Sequence, residues 1–197
     1  MKVLWVCTEL GLPYEHDEAI GGKFGRNQDP DYLAKNPNGL VPTIDDDGFI
    51  LWESNTIVRY LTAKHNSPLY PKDPQARADV ERWMDWRLSV MGGQFGGAFG
   101  PLYLQIIRTP PERRDPVVIK TVRARADAAF AILDRHLADR DFVGGQQMTI
   151  GDISVGPFAY RWLAMPIEHL PLPNLTRYRD RLIQRPGFQQ HVMLPLD

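Results

Sequence analysis

Val41, Pro42, Glu53 and Ser54 are the residues whose types and spacing best suit a binding chemistry. They lie in one stretch, NPNGLVPTIDDDGFILWESNTIVRY, spanning Asn36 to Tyr60. A peptide bond before proline adopts the cis form at modest cost. A cis bend at Val41-Pro42 would leave the N–H and C=O of Val41 free to pair with another extended chain, as in strand addition. Ser54 offers a hydroxyl where the stretch turns helical, and the first free N–H groups of a helix favour a carboxylate. Glu53 suits an ammonium. A short extended peptide with an ammonium and a carboxylate would match all of these features.

The elements that must position these residues read as strand, turn, strand, helix. Val41–Ile44 and Phe49–Trp52 are the strands, and Asp47-Gly48 is a hairpin signal between them. Ser54 reads as the cap of a helix with Ile57, Val58 and Leu61 on its apolar stripe. Upstream, Val3, Val6, Cys7 and Leu10 recur at helical spacing, and Gly11 followed by Pro13 stops that helix. Its start has no capping residue, and Lys2 brings positive charge to the positive end of the dipole. Tyr14–Ile20 reads as an edge strand, Gly21–Asn27 as a glycine-rich loop and Asp29–Lys35 as a short helical turn.

His65–Pro74 carries three prolines among polar residues and reads as a linker. It sets a first domain over 1–66 and a second over 75–197, joined by 67–74. The second reads as all-helical. Gln75–Met91 is one long helix, broken by glycines at 92, 93, 96, 97 and 100, and Val117–Leu137 is another. Thr149-Ile150-Gly151-Asp152 is a capping box with Met148 and Ile153 as its hydrophobic staple, and Pro157 should kink the helix that follows. Leu175–Gln184 and a short helix near Gly187–Val192 complete the chain. The fold class is therefore a small α/β domain followed by an all-α one.

Composition narrows the function. The 197 residues are 43% hydrophobic and 24% charged, with a formal net charge of −1. This is ordinary for a globular protein and lacks the basic excess that binding a nucleic-acid backbone needs. No apolar run is long enough to cross a membrane. A single cysteine, Cys7, rules out an internal disulfide and fits a reducing cytoplasm. On the apolar face of its helix it reads as a buried, inert thiol. His16, His65, His136, His169 and His191 show no metal-ligand spacing, so no metal site is expected. Asp45–Asp47 and Arg108–Arg114 read as solvated loops, and Trp83, Trp86 and Trp162 as core or interface residues.

Glutathione has the extended backbone and charged ends described above. NPNGLVPTI, DDDGFILWESNTIVRYL and DRDFVGGQQMTIGDIS together resemble the glutathione transferase family, most closely bacterial members of the theta-like kind. The resemblance spans essentially the whole chain. It implies a thioredoxin-like N-terminal domain and a helical C-terminal domain. It implies that Pro42 is a cis-proline, that Val41 holds the cysteinyl backbone of glutathione, and that Glu53 and Ser54 hold its γ-glutamyl end. It places an acceptor pocket between the domains, with Met91, Phe95, Phe99, Tyr103 and Trp162 as its apolar candidates. It implies a homodimer with the helix from Gln75 at the interface.

The family begins with a strand and a loop carrying the group that activates the glutathione thiol. Here the first helix starts at Met1, so that strand is expected to be missing and the activating residue to lie upstream. The expected reaction is transfer of the glutathione thiolate to a small hydrophobic electrophile, impaired if the chain begins at Met1. Two other readings stay open: glutathione-dependent reduction of a disulfide or peroxide, and a non-catalytic protein that binds glutathione.

Overall fold

A computed structural model describes residues 1–21, 25–92 and 97–196. Helix α1, Lys2–Leu10, ends as its sequence requires. Gly11 takes a left-handed φ of 64°, and Leu12 N–H closes the end on Cys7 O at 2.9 Å. Trp5, Val6 and Cys7 are buried, because the helix packs against the later helices Ser54–Lys64, Ile150–Ala164 and Pro186–His191 rather than showing one face to solvent. Trp5 meets Phe188 edge-on at 4.9 Å, and its Nε1 donates to Glu9 Oε1 at 2.7 Å. Arg185 grips that carboxylate with two hydrogen bonds, of 2.8 and 2.5 Å.

The edge strand expected over Tyr14–Ile20 does not form; the segment is irregular and mostly exposed. Its polar side chains give it no apolar face to set against a sheet. Helix α2 is a single turn, Pro30–Leu33. Strands β1, Thr43–Asp46, and β2, Phe49–Trp52, pair antiparallel with Thr43 opposite Trp52 and Asp46 opposite Phe49. The β1 strand starts two residues later than the expected Val41, so Val41 and Pro42 stand outside the ladder. Asp47 and Gly48 at the turn both have positive φ, which suits the Asp-Gly pair. Helix α3 then runs over Ser54–Lys64 and buries Ile57, Val58 and Leu61.

The second half is helical. Helix α4, Pro74–Trp86, is capped by Asp73 and continues as a π-helical turn over Arg87–Met91, so the long helix expected to Met91 changes its winding at Arg87. Helix α5, Gly100–Tyr103, likewise widens over Leu104–Arg108. Helix α6 spans Pro116–His136 with Asp115 as its cap, and α7 spans Ile150–Ala164 with Pro157 inside it. The capping box forms: Thr149 N–H and Oγ1 both donate to Asp152 Oδ2, at 2.8 and 3.1 Å. Helices α8, Pro173–Leu182, and α9, Pro186–His191, close the fold around α7 and α1. The result is a thioredoxin-like N-terminal domain with a small sheet, followed by a helical C-terminal domain.

Candidate glutathione site

The start of α3 is the most open hydrogen-bonding surface near the sequence motif. Its first helical bond runs from Ile57 N–H to Glu53 O at 2.9 Å. The N–H groups of Ser54, Asn55 and Thr56 therefore have no helical acceptor, and no described side chain caps them. Ser54 was expected to be the cap. Instead it is the first helical residue, and Glu53 holds the cap position with φ 73° and ψ 106°. A left-handed φ on a residue with a Cβ costs about 1–3 kcal/mol, and residues so held cluster at ligand sites. Glu53 is exposed, and neither its carboxylate nor the Ser54 hydroxyl bonds to another described side chain.

The Val41-Pro42 bond is cis. Val41 is 53% exposed, and its N–H and C=O pair with no other main chain among the described residues. The loop behind it is fixed from within. Tyr32 Oη donates to Leu40 O at 2.6 Å, and Asn36 Nδ2 donates to the same oxygen at 2.7 Å. On the other side a Cβ on Gly21 would come within 2.7 Å of a Val41 methyl, so only glycine fits there.

Asn55, which the sequence reading passed over, connects this corner to the rest of the molecule. It is 3% exposed. Its Oδ1 accepts from Lys2 Nζ at 2.9 Å and from Ser154 Oγ at 3.1 Å, and its Nδ2 donates to Met84 O at 3.2 Å. One side chain thus joins α1, α3, α4 and α7. Burial lowers the pKa of Lys2 to about 7; Arg87 and Arg59 push the same way and Glu53 opposes them. The sequence did carry a trace of this, in a lysine at the unfavourable end of a helix dipole.

Three of the acceptor candidates, Phe99, Tyr103 and Trp162, fall into one aromatic group; Phe95 lies outside the described residues. Phe99 meets Phe130 edge-on at 5.9 Å and Phe158 at 5.4 Å, and lies 5.6 Å from the ring of Tyr103. Trp162 stacks on Phe130 at 4.6 Å. Met91 and Trp162 are fully buried and Phe99 nearly so, whereas Tyr103 is partly exposed and donates to the Leu196 carbonyl. A separate shallow pocket, lined by Thr62, Asn66, Tyr70, Lys72 and Arg77, lies at the opposite end of α3. Among the described residues no group of histidine, cysteine and carboxylate side chains is arranged to hold a metal, and no helix is long and apolar enough to cross a membrane.

A small sheet with an uncapped helix start beside it, joined to a helical bundle, defines a two-part class of fold. Residues 1–69 match the family model for the glutathione S-transferase N-terminal domain, and residues 78–181 match the model for its C-terminal domain. The chain is 42% identical to glutathione S-transferase GstB of Escherichia coli over 99% of its own length and 93% of that protein's. It is 30% identical to glutathione S-transferase D7 of Drosophila melanogaster over 95% of this chain and 81% of that one. Its fold superposes with a TM-score of 0.92, at 42% identity, on the theta class glutathione S-transferase of Xanthomonas axonopodis pv. citri solved with glutathione bound, covering 100% of this chain and 92% of that one. The chain belongs to the glutathione S-transferase family and so to the transferase class of enzymes.

Proposed function

We propose that this protein binds glutathione across Val41, Pro42, Glu53 and Ser54 and transfers its thiolate to a small electrophile. The observation that carries the reading is the α3 start: three N–H groups and a hydroxyl without partners among the described residues, beside a Val41 main chain that pairs with no other described main chain. The cysteinyl backbone of the tripeptide pairs with Val41. Its γ-glutamyl carboxylate takes the free N–H groups and hydroxyl at Ser54, and its ammonium takes Glu53. The glutathione-bound Xanthomonas relative supports the choice of ligand. The reacting species is the thiolate, which attacks the electrophile while the thiol proton leaves to solvent.

In this reading the electrophile sits against Tyr103, with Met91, Phe99 and Trp162 forming the packed wall behind it. The two domains divide over 67–74, and two copies associate through the region that opens with α4, where Leu88 and Val90 are exposed. Detoxification in the cytoplasm is the matching physiological role.

The test is retention on immobilised glutathione and turnover of an aromatic halide. Glu53→Ala and Ser54→Ala are each expected to abolish retention while the far-ultraviolet spectrum stays unchanged. Retention that survives both substitutions overturns the site assignment.

A further inference from the structure

Two guanidinium groups lie against the aromatic group that the proposed reading makes the acceptor wall. Arg87, on the π-helical turn after α4, stands 3.9 Å over the ring of Phe158, which packs on Phe99. Arg161, on α7, stands 5.3 Å over Tyr103. The Nε of each is buried without a hydrogen-bond partner among the described residues. No described carboxylate lies within ion-pair distance of either.

Such an arrangement is costly as it stands. Both side chains are partly buried; a cation so shielded from water is ordinarily matched by an anion, and stacking on a ring recovers only part of the lost hydration. The neighbours worsen the imbalance. Lys2 and Arg87 repel one another. Burial lowers the pKa of Arg87 to about 10, and only Glu53 opposes that shift. Burial also lowers that of Arg161, with Arg108 adding to the effect against Tyr103. Glu53 is already engaged by an ammonium in the proposed complex, so it does not neutralise this group.

We infer that the electrophile carries an acidic group, a carboxylate or sulfonate, which Arg87 and Arg161 hold while its apolar body lies against Tyr103 and Phe158, with Phe99 packed behind them. This rests on the glutathione-transfer reading and names the class of acceptor within it. For an aryl halide the step balances simply. The glutathione sulfur forms a C–S bond at the ring carbon, the C–Cl bond breaks with its electron pair leaving as chloride, and the thiol proton goes to solvent. The acidic group stays ionised throughout and serves only for binding.

The experiment compares two glutathione conjugates by calorimetry, so that it does not depend on turnover. S-(2,4-dinitrophenyl)glutathione is set against the same conjugate bearing a ring carboxylate. The carboxylated conjugate is expected to bind about tenfold tighter, as a charge-assisted contact implies, and added salt should erode the difference. Arg87→Gln and Arg161→Gln should each cut that tenfold preference to about threefold or less. Equal affinity of the unmutated protein for the two conjugates overturns the inference, whatever the variants do. Failure to bind either conjugate, or S-methylglutathione, removes the underlying reading as well, whereas tight but equal binding of both removes only the inference.

Discussion

Asn55 and Ser154 stand 99 positions apart in sequence and share a 3.1 Å hydrogen bond inside the molecule. This contact fixes the start of α3, the proposed glutathione site, against α7, and the Met84 carbonyl on α4 completes the clamp. Asn55→Ala leaves Ser154 Oγ and Met84 O without their partner in a dry environment. The expected loss is about 2–3 kcal/mol of stability, one unsatisfied buried group costing about 1–3. Because the clamp positions the Ser54 N–H, affinity for S-methylglutathione should fall as well. Denaturant titration and calorimetry on the same variant check the two effects separately. Unchanged affinity with lowered stability would confine Asn55 to holding the domains together.

Glu53 offers a sharper separation of stability from binding. Its φ of 73° strains any side chain at that position, while glycine adopts it freely. Glu53→Gly should therefore be more stable than Glu53→Ala by about 1 kcal/mol, although both lose the carboxylate. Neither should bind glutathione. Thermal unfolding of the two variants side by side makes the comparison, and equal melting temperatures would show that the left-handed backbone is not under strain.

The local features of this fold were legible because local chemistry determines them. The α1 periodicity, the Gly11 stop, the Asp47-Gly48 turn and the Thr149–Asp152 capping box each depend on residues a few positions apart. The site was legible only in outline. The sequence pointed to Glu53-Ser54, but the reversal of roles, with Glu53 as a strained cap and Ser54 inside the helix, depends on backbone angles that the strand exit imposes. Asn55 and Arg87 escaped, and Lys2 showed only as a misplaced charge, because their partners lie on other helices and long-range contacts leave no periodic trace. Tyr14–Ile20 failed as a strand for the converse reason: its local pattern had no apolar face for a neighbour to cover.

Asp152 carries more of the helical domain than its capping role suggests. It is fully buried and accepts four hydrogen bonds. The donors are Val143 N–H, Thr149 N–H, Thr149 Oγ1 and Tyr178 Oη, so the side chain pins the 139–149 loop to α7 and α8. Asp152→Asn keeps the shape but turns an amide donor toward other donors. It should cost about 2–4 kcal/mol, comparable to breaking a buried network. A midpoint shift in urea without a change of slope would match this. A variant within 0.5 kcal/mol of the parent, the usual range for surface changes, would contradict it.

Lys2 gives the molecule a pH dependence whose sign can be worked out. Its pKa in the folded protein is lowered from 10.5 to about 7, chiefly by burial, with Arg87 and Arg59 adding to the effect and Glu53 opposing it. Between those two values the unfolded chain holds a proton that the folded protein has released. Stability must therefore rise with pH across that window. The Cys7 thiol, raised by burial, works in the opposite direction near the upper end of the window. The test is therefore a difference measurement. The parent should gain stability from pH 7 to 8.5 relative to Lys2→Met, and the variant should be the more stable of the two at pH 6.5, where the parent carries the buried charge. Parallel curves for the two proteins would show that the Lys2 ammonium is hydrated in the folded state and that its bond to Asn55 is made at the surface.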